Sequence, residues 1–375
     1  MIGTRPEAIK LSPVAHALAA RGLPPSLIVT GQHVELEPET FGLRGFPAVH
    51  LRLAGEEDPH VHVRKVAAAV RNLLVSAPDL LVVQGDTSSA LGAALGGFAA
   101  GVPVAHVEAG LRTYDKTLPW PEEEYRTAID ARAALLFAPT ELSAANLASE
   151  RVGGVIHVTG NTGIDALLAI ERALPCPKVR GCAIPMILVT CHRRESWGHG
   201  LQAIAAALAE LARDQTAHIQ VVLHPNPRVS RTMRALLGQL PGISLIEPCS
   251  HFELVERMRD ADLILSDSGG IQEEAPALGV PLLVLREKTE RPEGVVTGNM
   301  RLVGTSTEAI LAETRRVLSD TLAQTAMSLR AFPYGDGHAA GRIAEIIDHW
   351  LARRMAQVPE PLARRGSASH TGPEC

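Results

Sequence analysis

The chain has 375 residues, of which 46% are hydrophobic and 21% charged, and its formal net charge is −5. This composition is typical of a soluble globular protein and lacks the excess of Lys and Arg that nucleic-acid-binding proteins carry. No apolar run reaches about 18 residues, so we expect no membrane-spanning helix. No signal-peptide pattern opens the chain, so we expect a cytoplasmic protein. The length predicts two domains of roughly 150 to 200 residues with a cleft between them.

The cysteines do not indicate a disulfide framework or a metal site. They are odd in number and scattered, and none form a CxxC pair; they stand at Cys176, Cys182, Cys191, Cys249 and Cys375. Zinc sites and disulfide-rich domains require paired spacings, so we expect no metal. Cys191 lies beside His192 at a predicted strand end. A plain thiol is the favoured interpretation of Cys191, and a catalytic thiol is the alternative.

Short apolar runs alternate with helical patterns along the chain. The predicted strands are residues 27–29, 80–83, 102–106, 135–138, 186–189, 219–223, 243–246, 263–265 and 281–285. Continuous apolar strands that alternate with helices indicate parallel sheets covered on both faces. The predicted class is α/β, doubly wound, in two domains. Ligands of such sheets bind beyond the carboxyl ends of the strands, where this chain carries many ionisable residues.

The first candidate binding segment is Gly3 to Lys10. A Gly-Thr turn precedes a helix that Pro6 can open as its first residue. Arg5 and Lys10 would then be cations close to the positive end of a helix, an unfavourable position that a bound anion would offset. Ordinary surface charge is the alternative interpretation.

Three carboxylate sites follow in the same half of the chain. Asp86 follows a strand and is either a functional acid or a helix cap, for which Thr87 competes. Glu108 ends a buried strand, and burial is expected to raise its pKa toward the range of a general acid or base. Glu122 opens an acidic helix start with Arg126 one turn on, and solvated acidic residues are the alternative there.

In the other half of the chain, the strand, glycine turn and helix at residues 263–278 suit a bound nucleotide. Three carboxylate sites facing it indicate proton transfer on whatever the nucleotide carries. Phosphoryl transfer is disfavoured, because the sequence has no GxxxxGK[ST] loop.

A Pro-rich break at residues 174–181 predicts the linker between an N-terminal domain at 1–173 and a C-terminal domain at 182–356. Residues 357–375 are expected to be a disordered tail.

The C-terminal half supplies cations and a phosphate-binding turn. His192 and Arg193 form a cationic cluster suited to holding a diphosphate and stabilising it as a leaving group. His224 follows another strand, and either a ligand contact or a backbone contact suits it. Arg291 is expected to pair with Glu290 or with a substrate hydroxyl.

The run from Asp267 to Glu274 carries the strongest local signal. A strand that turns through Ser268, Gly269 and Gly270 into a helix directs backbone N–H groups and the positive helix end at one point, which suits a phosphate. Glu274, further along the helix, is suited to accept hydrogen bonds from ribose hydroxyls. A tight strand-to-helix connection without a ligand is the alternative for the glycines alone.

These segments, taken together, resemble the non-hydrolysing UDP-N-acetylglucosamine 2-epimerases. The motifs run in order along nearly the whole chain and include GTRPEAIK (3–10), GQH (31–33), GDT (85–87), HVEAGLRT (106–113), PWPEE (119–123), HRRES (192–196), DSGGIQEEAPALGVP (267–281) and TERPE (289–293). The resemblance implies the GT-B architecture, with two Rossmann-like domains and an interdomain cleft. It also implies reversible C2 epimerisation of UDP-GlcNAc to UDP-ManNAc through loss and re-addition of UDP, no cofactor, and a homodimer.

The same resemblance assigns roles to individual residues. The catalytic residues it implies are Asp86, Glu108, Glu122 and His192. The substrate-binding residues it implies are Arg5, Lys10, Arg126, Arg193, Ser268, Gly269, Gly270, Glu274 and Arg291. Gln32, His33 and His224 match positions linked to an allosteric UDP-GlcNAc site.

Two features depart from the family pattern. Only Met1 and Ile2 precede GTRPE, so a central strand of the first sheet is expected to be missing or vestigial, or the chain to start late. The region 34–62 is shorter than usual. Two other functions therefore stay open at this point: a GT-B glycosyltransferase that uses a UDP-sugar, and a catalytically inactive UDP-sugar sensor.

Overall fold

The computed structural model describes residues 1–75, 78–175, 184–191 and 199–357. Its α-helices are α1 (Arg5–Ala20), α2 (Pro59–Leu73), α3 (Ser88–Ala99), α4 (Glu122–Asp130), α5 (Glu141–Ser149), α6 (Thr162–Ala173), α7 (His199–Arg213), α8 (Pro227–Leu237), α9 (His251–Arg259), α10 (Gly269–Leu278), α11 (Glu293–Val296), α12 (Thr307–Ser319), α13 (Thr321–Met327) and α14 (Ala339–Gln357).

The strands alternate with these helices. They are β1 (Leu27–Val29), β2 (Ala48–His50), β3 (Leu81–Gln84), β4 (Val104–Val107), β5 (Leu135–Ala138), β6 (Val155–Val158), β7 (Met186–Thr190), β8 (His218–Val222), β9 (Ile243–Ile246), β10 (Leu263–Ser266), β11 (Leu282–Val284) and β12 (Met300–Leu302). All described strand pairs are parallel, which confirms the predicted α/β class. The sequence missed β2, β6 and β12. These are short sheet-edge strands with exposed or half-buried positions, so they lack a continuous apolar run.

The N-terminal lobe contains β1 to β6. Strands β1 and β2 form one pair, and β3, β4, β5 and β6 form a four-stranded sheet in that order. Ile2 lies between these two units. Its N–H donates to Ile28 O at 2.9 Å and its carbonyl accepts from Thr30 N at 2.9 Å, while the Met1 amino group donates to Val82 O at 2.9 Å. Met1 and Ile2 thus occupy the position between β1 and β3, where Ile2 forms an isolated parallel bridge with Val29.

The C-terminal lobe is built on a six-stranded sheet in the order β12-β11-β10-β7-β8-β9. Two helices pack across the boundary between the lobes. Ile164 and Leu167 of α6 join the apolar core beside Leu188 and Ile264, whereas Ile343 of α14 joins the N-terminal core. The chain therefore returns at its end to the first lobe, because the apolar face of α14 is buried there.

The domain ranges 1–173 and 182–356 stay predictions. Helix α6, from the first range, packs on the C-terminal core, and helix α14, from the second range, packs on the N-terminal core. Most of the predicted linker, at residues 176–181, lies outside the described residues, as does the predicted tail beyond Gln357. Among the helices that the structure describes, none combines the length and apolarity needed to cross a bilayer.

Candidate active site between the lobes

Four buried charged residues from both lobes meet in one cluster, called here the interlobe cluster: Lys10, Glu108, Glu273 and Arg291. Lys10 Nζ lies 2.7 Å from Glu108 Oε1 and 2.9 Å from Glu273 Oε2. Arg291 Nη2 lies 3.0 Å from Glu108 Oε1, and its Nε lies 2.6 Å from Glu273 Oε1. Each cation therefore bridges one carboxylate from each lobe.

Local structure brings these side chains to the cleft. Glu108 follows β4 with a positive φ of 70°, which turns the chain away from the strand direction. Its second oxygen contacts the side-chain amide of Gln84 at the end of β3, and Asn161 Nδ2 lies 3.3 Å from Oε1. Lys10 lies on α1 and Glu273 on α10, so each helix presents one charge to the cluster.

The electrostatics of Glu108 differ from the prediction. Burial by itself raises the pKa of Glu108, as expected, but the charges of Lys10 and Arg291 outweigh it and hold that pKa well below its usual value. The prediction of a raised pKa is wrong for this arrangement, because the sequence does not reveal which cations lie nearby. In contrast, burial raises the pKa of Glu273 despite the same two cations.

Asp86 belongs to a second, adjoining group. Thr87, and not Asp86, caps α3 by accepting from Ala90 N at 3.0 Å. Asp86 Oδ2 accepts from Arg126 Nε at 2.9 Å. A Cβ placed on the neighbouring Gly85 would lie 3.7 Å from Glu108 Oε2, so the turn that carries Asp86 is next to the interlobe cluster.

The start of α4 completes this group. Glu122 is the first residue of the helix and is half-buried. The adjacent Glu123, which the prediction did not select, is buried and accepts from Tyr114 N at 2.9 Å and Arg126 Nη1 at 3.1 Å. Arg126 is thereby fixed between Asp86 and Glu123.

The predicted phosphate-binding turn lies between β10 and α10. Ser268 is the N-cap residue of α10 but makes no side-chain capping bond, and within the described residues its hydroxyl has no other hydrogen bond. A Cβ on Gly269 would lie 2.8 Å from Arg291 Nη1, so a larger residue would have to displace this guanidinium from its ion pairs with Glu108 and Glu273. Because Arg291 also binds Glu108, one guanidinium joins the turn to the interlobe cluster.

Further along α10, Glu274 is buried and contacts a histidine that the prediction did not select. His251 Nε2 lies 2.8 Å from Glu274 Oε1. Burial lowers the pKa of His251, but the Glu274 carboxylate outweighs it and raises that pKa overall. The nucleoside side of the predicted site therefore contains a histidine–carboxylate pair.

Arg5, Gln32 and His33 lie close to the starts of α1 and α3, and His224 follows β8. Arg5, rather than Pro6, is the first residue of α1; its side chain is exposed, and its N–H donates to His33 Nδ1 at 3.3 Å. Gln32 Oε1 accepts from Ser89 Oγ at 2.7 Å. His224 Nδ1 accepts from Asn226 N at 2.9 Å, which is the backbone contact that the sequence left open.

His192 and Arg193 lie outside the described residues, so their predicted roles are untested by the structure. The neighbouring Cys191 is buried. Burial, followed by the charge of Asp267, raises the pKa of its thiol well above the usual value, which disfavours a reactive thiolate. In the described ranges, no group of His, Cys, Asp or Glu has the arrangement of a metal site.

Glu273 is the most important residue that sequence reasoning missed. It stands directly before the selected Glu274 within α10, and that adjacency was the available signal. Helical geometry points adjacent residues about 100° apart, so Glu273 faces Lys10 and Glu108 while Glu274 faces His251. Asn161, the N-cap residue of α6, was a similar signal, because its side chain also contacts Glu108.

Two parallel α/β lobes, a glycine turn at a helix start in one lobe and carboxylates facing it from the other are the features of a GT-B protein. The family described as UDP-N-acetylglucosamine 2-epimerase matches residues 16–348. The UDP-N-acetylglucosamine 2-epimerase of Escherichia coli K12 is 42% identical over 367 residues, which cover 92% of this chain and 97% of the relative.

A probable UDP-N-acetylglucosamine 2-epimerase of Ralstonia nicotianae is 42% identical over 370 residues, covering 94% of this chain and 98% of the relative. The crystal structure of the Neisseria meningitidis UDP-GlcNAc 2-epimerase bound to UDP-GlcNAc has a TM-score of 0.85 at 36% identity, covering 92% of this chain and 98% of that one. The chain therefore belongs to the UDP-N-acetylglucosamine 2-epimerase family.

Proposed function

We propose that this protein catalyses the reversible C2 epimerisation of UDP-GlcNAc to UDP-ManNAc. The observation that carries the proposal is the position of Arg291, which contacts Glu108 of one lobe and lies against Gly269 of the other. A sugar whose diphosphate binds at the Ser268–Gly270 turn would extend toward the carboxylates of the N-terminal lobe. Family membership supports the same substrate and reaction.

The chemistry follows from the acids at the cleft. A carboxylate removes the proton from C2, the C–H electron pair forms the C1=C2 double bond, and the C1–O bond breaks as UDP leaves with its electron pair. UDP then returns to C1 while a proton is delivered to the opposite face of C2. Because the two faces need separate acid or base groups, Asp86, Glu108 and Glu122 share these roles.

The interlobe cluster constrains which cations hold the diphosphate. The charges of Lys10 and Arg291 are already matched by Glu108 and Glu273, and Arg291 also pairs with the buried Glu290, as the sequence predicted. Additional positive charge must therefore come from elsewhere, and we assign it to the α10 N-terminus, Arg5, His192 and Arg193. Lys10 and Arg291 instead orient Glu108, and Arg126 orients Asp86.

Ribose hydroxyls are assigned to Glu274. We also propose a cytoplasmic homodimer that binds a second, allosteric UDP-GlcNAc near Gln32, His33 and His224, as the family resemblance implies. Gln32 and His33 border the start of α1, and His224 follows β8 in the other lobe. Lobe closure would thus affect both sites.

The test is incubation with UDP-GlcNAc in D2O without any acceptor, followed by NMR. Deuterium at C2 of the recovered UDP-GlcNAc and of newly formed UDP-ManNAc is the expected result. Transfer of GlcNAc that requires an acceptor, with no deuterium at C2, would instead identify a glycosyltransferase. Binding without exchange would identify a sensor, and either outcome would overturn the proposal.

A further inference from the structure

His251 is fixed by its position at the start of α9. It is the first residue of the helix, directly after the N-cap residue Ser250. The cap is doubly bonded: Ser250 N donates to Glu253 Oε2 at 2.8 Å, and Ser250 Oγ donates to the same oxygen at 2.8 Å. A capping box of this kind fixes the first helical turn, and therefore the direction of the His251 side chain.

The ring of His251 forms a hydrogen bond with one carboxylate oxygen of Glu274 and does not bind the other oxygen. Nε2 lies 2.8 Å from Glu274 Oε1, and the two side chains are only 13% and 9% exposed. Within the part of the chain that the structure describes, Glu274 Oε2 has no hydrogen-bond partner. Glu274 lies six positions after Ser268, on the helix α10 that follows the proposed phosphate-binding turn.

We propose that His251 is a positioning residue for nucleoside binding: it holds Glu274 Oε1 so that Oε2 is directed to the ribose hydroxyls of UDP. This inference rests on the proposed function, since it takes the turn before α10 as the diphosphate site. A carboxylate anchored through one oxygen loses little rotamer freedom when the other oxygen binds a ligand, so anchoring favours affinity. His251 contributes to ribose recognition without contacting the nucleotide.

The experiment measures the dissociation constants of UDP and 2′,3′-dideoxy-UDP by calorimetry. The wild-type protein is expected to prefer UDP, because only UDP carries the ribose hydroxyls. His251→Ala is expected to weaken UDP binding roughly tenfold, the size of one hydrogen bond to a charged group, and to leave dideoxy-UDP binding nearly unchanged. His251→Gln, which keeps an N–H donor, is expected to restore most of the preference.

Three comparisons make the result decisive. Glu274→Ala should remove the preference for UDP, and adding His251→Ala to it should have no further effect on the preference. His218→Ala, an exposed histidine on β8 of the same lobe, should leave both dissociation constants unchanged. In exchange kinetics, His251→Ala should raise KM and leave kcat near the wild-type value.

A His251→Ala protein that loses UDP and dideoxy-UDP affinity by the same factor would overturn the proposal, as would unchanged UDP affinity. If His251→Ala does not fold, the Gln variant decides, because loss of the preference despite the retained donor also contradicts the proposal. Deuterium exchange by the wild-type protein tests the proposed reaction separately, so a failure of either inference is recognised independently.

Discussion

Arg291 of the C-terminal lobe donates from Nη2 to Oε1 of Glu108 in the N-terminal lobe at 3.0 Å, although 183 positions separate them in the chain. The same guanidinium is in close contact with Gly269 and binds Glu273 through Nε at 2.6 Å. The turn proposed to bind phosphate and the proposed catalytic acid are therefore coupled by a single side chain.

The contact between Gly269 and Arg291 predicts a clear difference between two neighbouring glycines. Gly269→Ala places a methyl group 2.8 Å from Arg291 Nη1, and this overpacking should lower the free energy of unfolding by about 1 to 3 kcal/mol. Gly270→Ala is the matched control. Its nearest neighbour is Ser268 Oγ at 3.9 Å, so alanine should be neutral or stabilising by up to about 1 kcal/mol. Urea unfolding measures both, and equal effects would contradict the packing described here.

Lys10→Met is expected to destabilise the protein by about 3 to 5 kcal/mol, because it removes one of the two cations that the buried Glu108 and Glu273 share. Lys65→Met is the control, since Lys65 pairs with Glu56 at the surface and its side chain is 51% exposed. Its effect should stay below about 1 kcal/mol. Urea unfolding of the two variants should therefore differ several-fold, and a small effect of Lys10→Met would mean that the interlobe cluster is not formed in solution.

Glu108→Gln should reduce deuterium exchange at C2 by about 10² to 10⁴-fold, because the amide cannot take up the C2 proton. UDP affinity should persist, since the diphosphate is assigned to the other lobe. Glu150→Gln serves as the control. Glu150 is a partly exposed residue of the same lobe that pairs with Arg112, and the variant should show wild-type deuterium exchange at C2. Retained exchange in Glu108→Gln would remove this residue from the mechanism.

Ser268→Ala should weaken UDP binding by roughly 1 to 2 kcal/mol, the value of one hydrogen bond to a charged group. The hydroxyl has no hydrogen bond in the described residues, so its loss should not change the free energy of unfolding. Calorimetric titration with UDP provides the measurement, with the exposed Ser319→Ala as a control. Unchanged affinity would mean that the diphosphate binds elsewhere.

Cys191 should behave as an inert thiol. Its raised pKa keeps it protonated at neutral pH and up to pH values above its usual titration range, so iodoacetamide should modify it far more slowly in the folded protein than in urea. Cys191→Ala should retain C2 exchange. Rapid alkylation of Cys191 at pH 7, detected by mass spectrometry, would contradict the buried environment.

Much of the architecture follows from local sequence patterns. The run from Leu263 to Glu274 predicts a strand, a glycine turn and a helix because each step depends on neighbouring residues, and β10 and α10 begin and end close to the predicted positions. Strands without buried positions, such as β2 and β6, escape such reasoning. An edge strand is defined by its partner in the sheet and not by its own apolar pattern.

The chain by itself determined the α/β class, the carboxylates at the strand ends and the glycine turn that suits a phosphate. Only the tertiary structure decided the electrostatic state of Glu108, because its pKa depends on Lys10, 98 positions away, and on Arg291, 183 positions away. Coulomb interactions act through space, so Lys10 becomes a neighbour of this carboxylate only when the N-terminal lobe folds, and Arg291 only when the two lobes pack together.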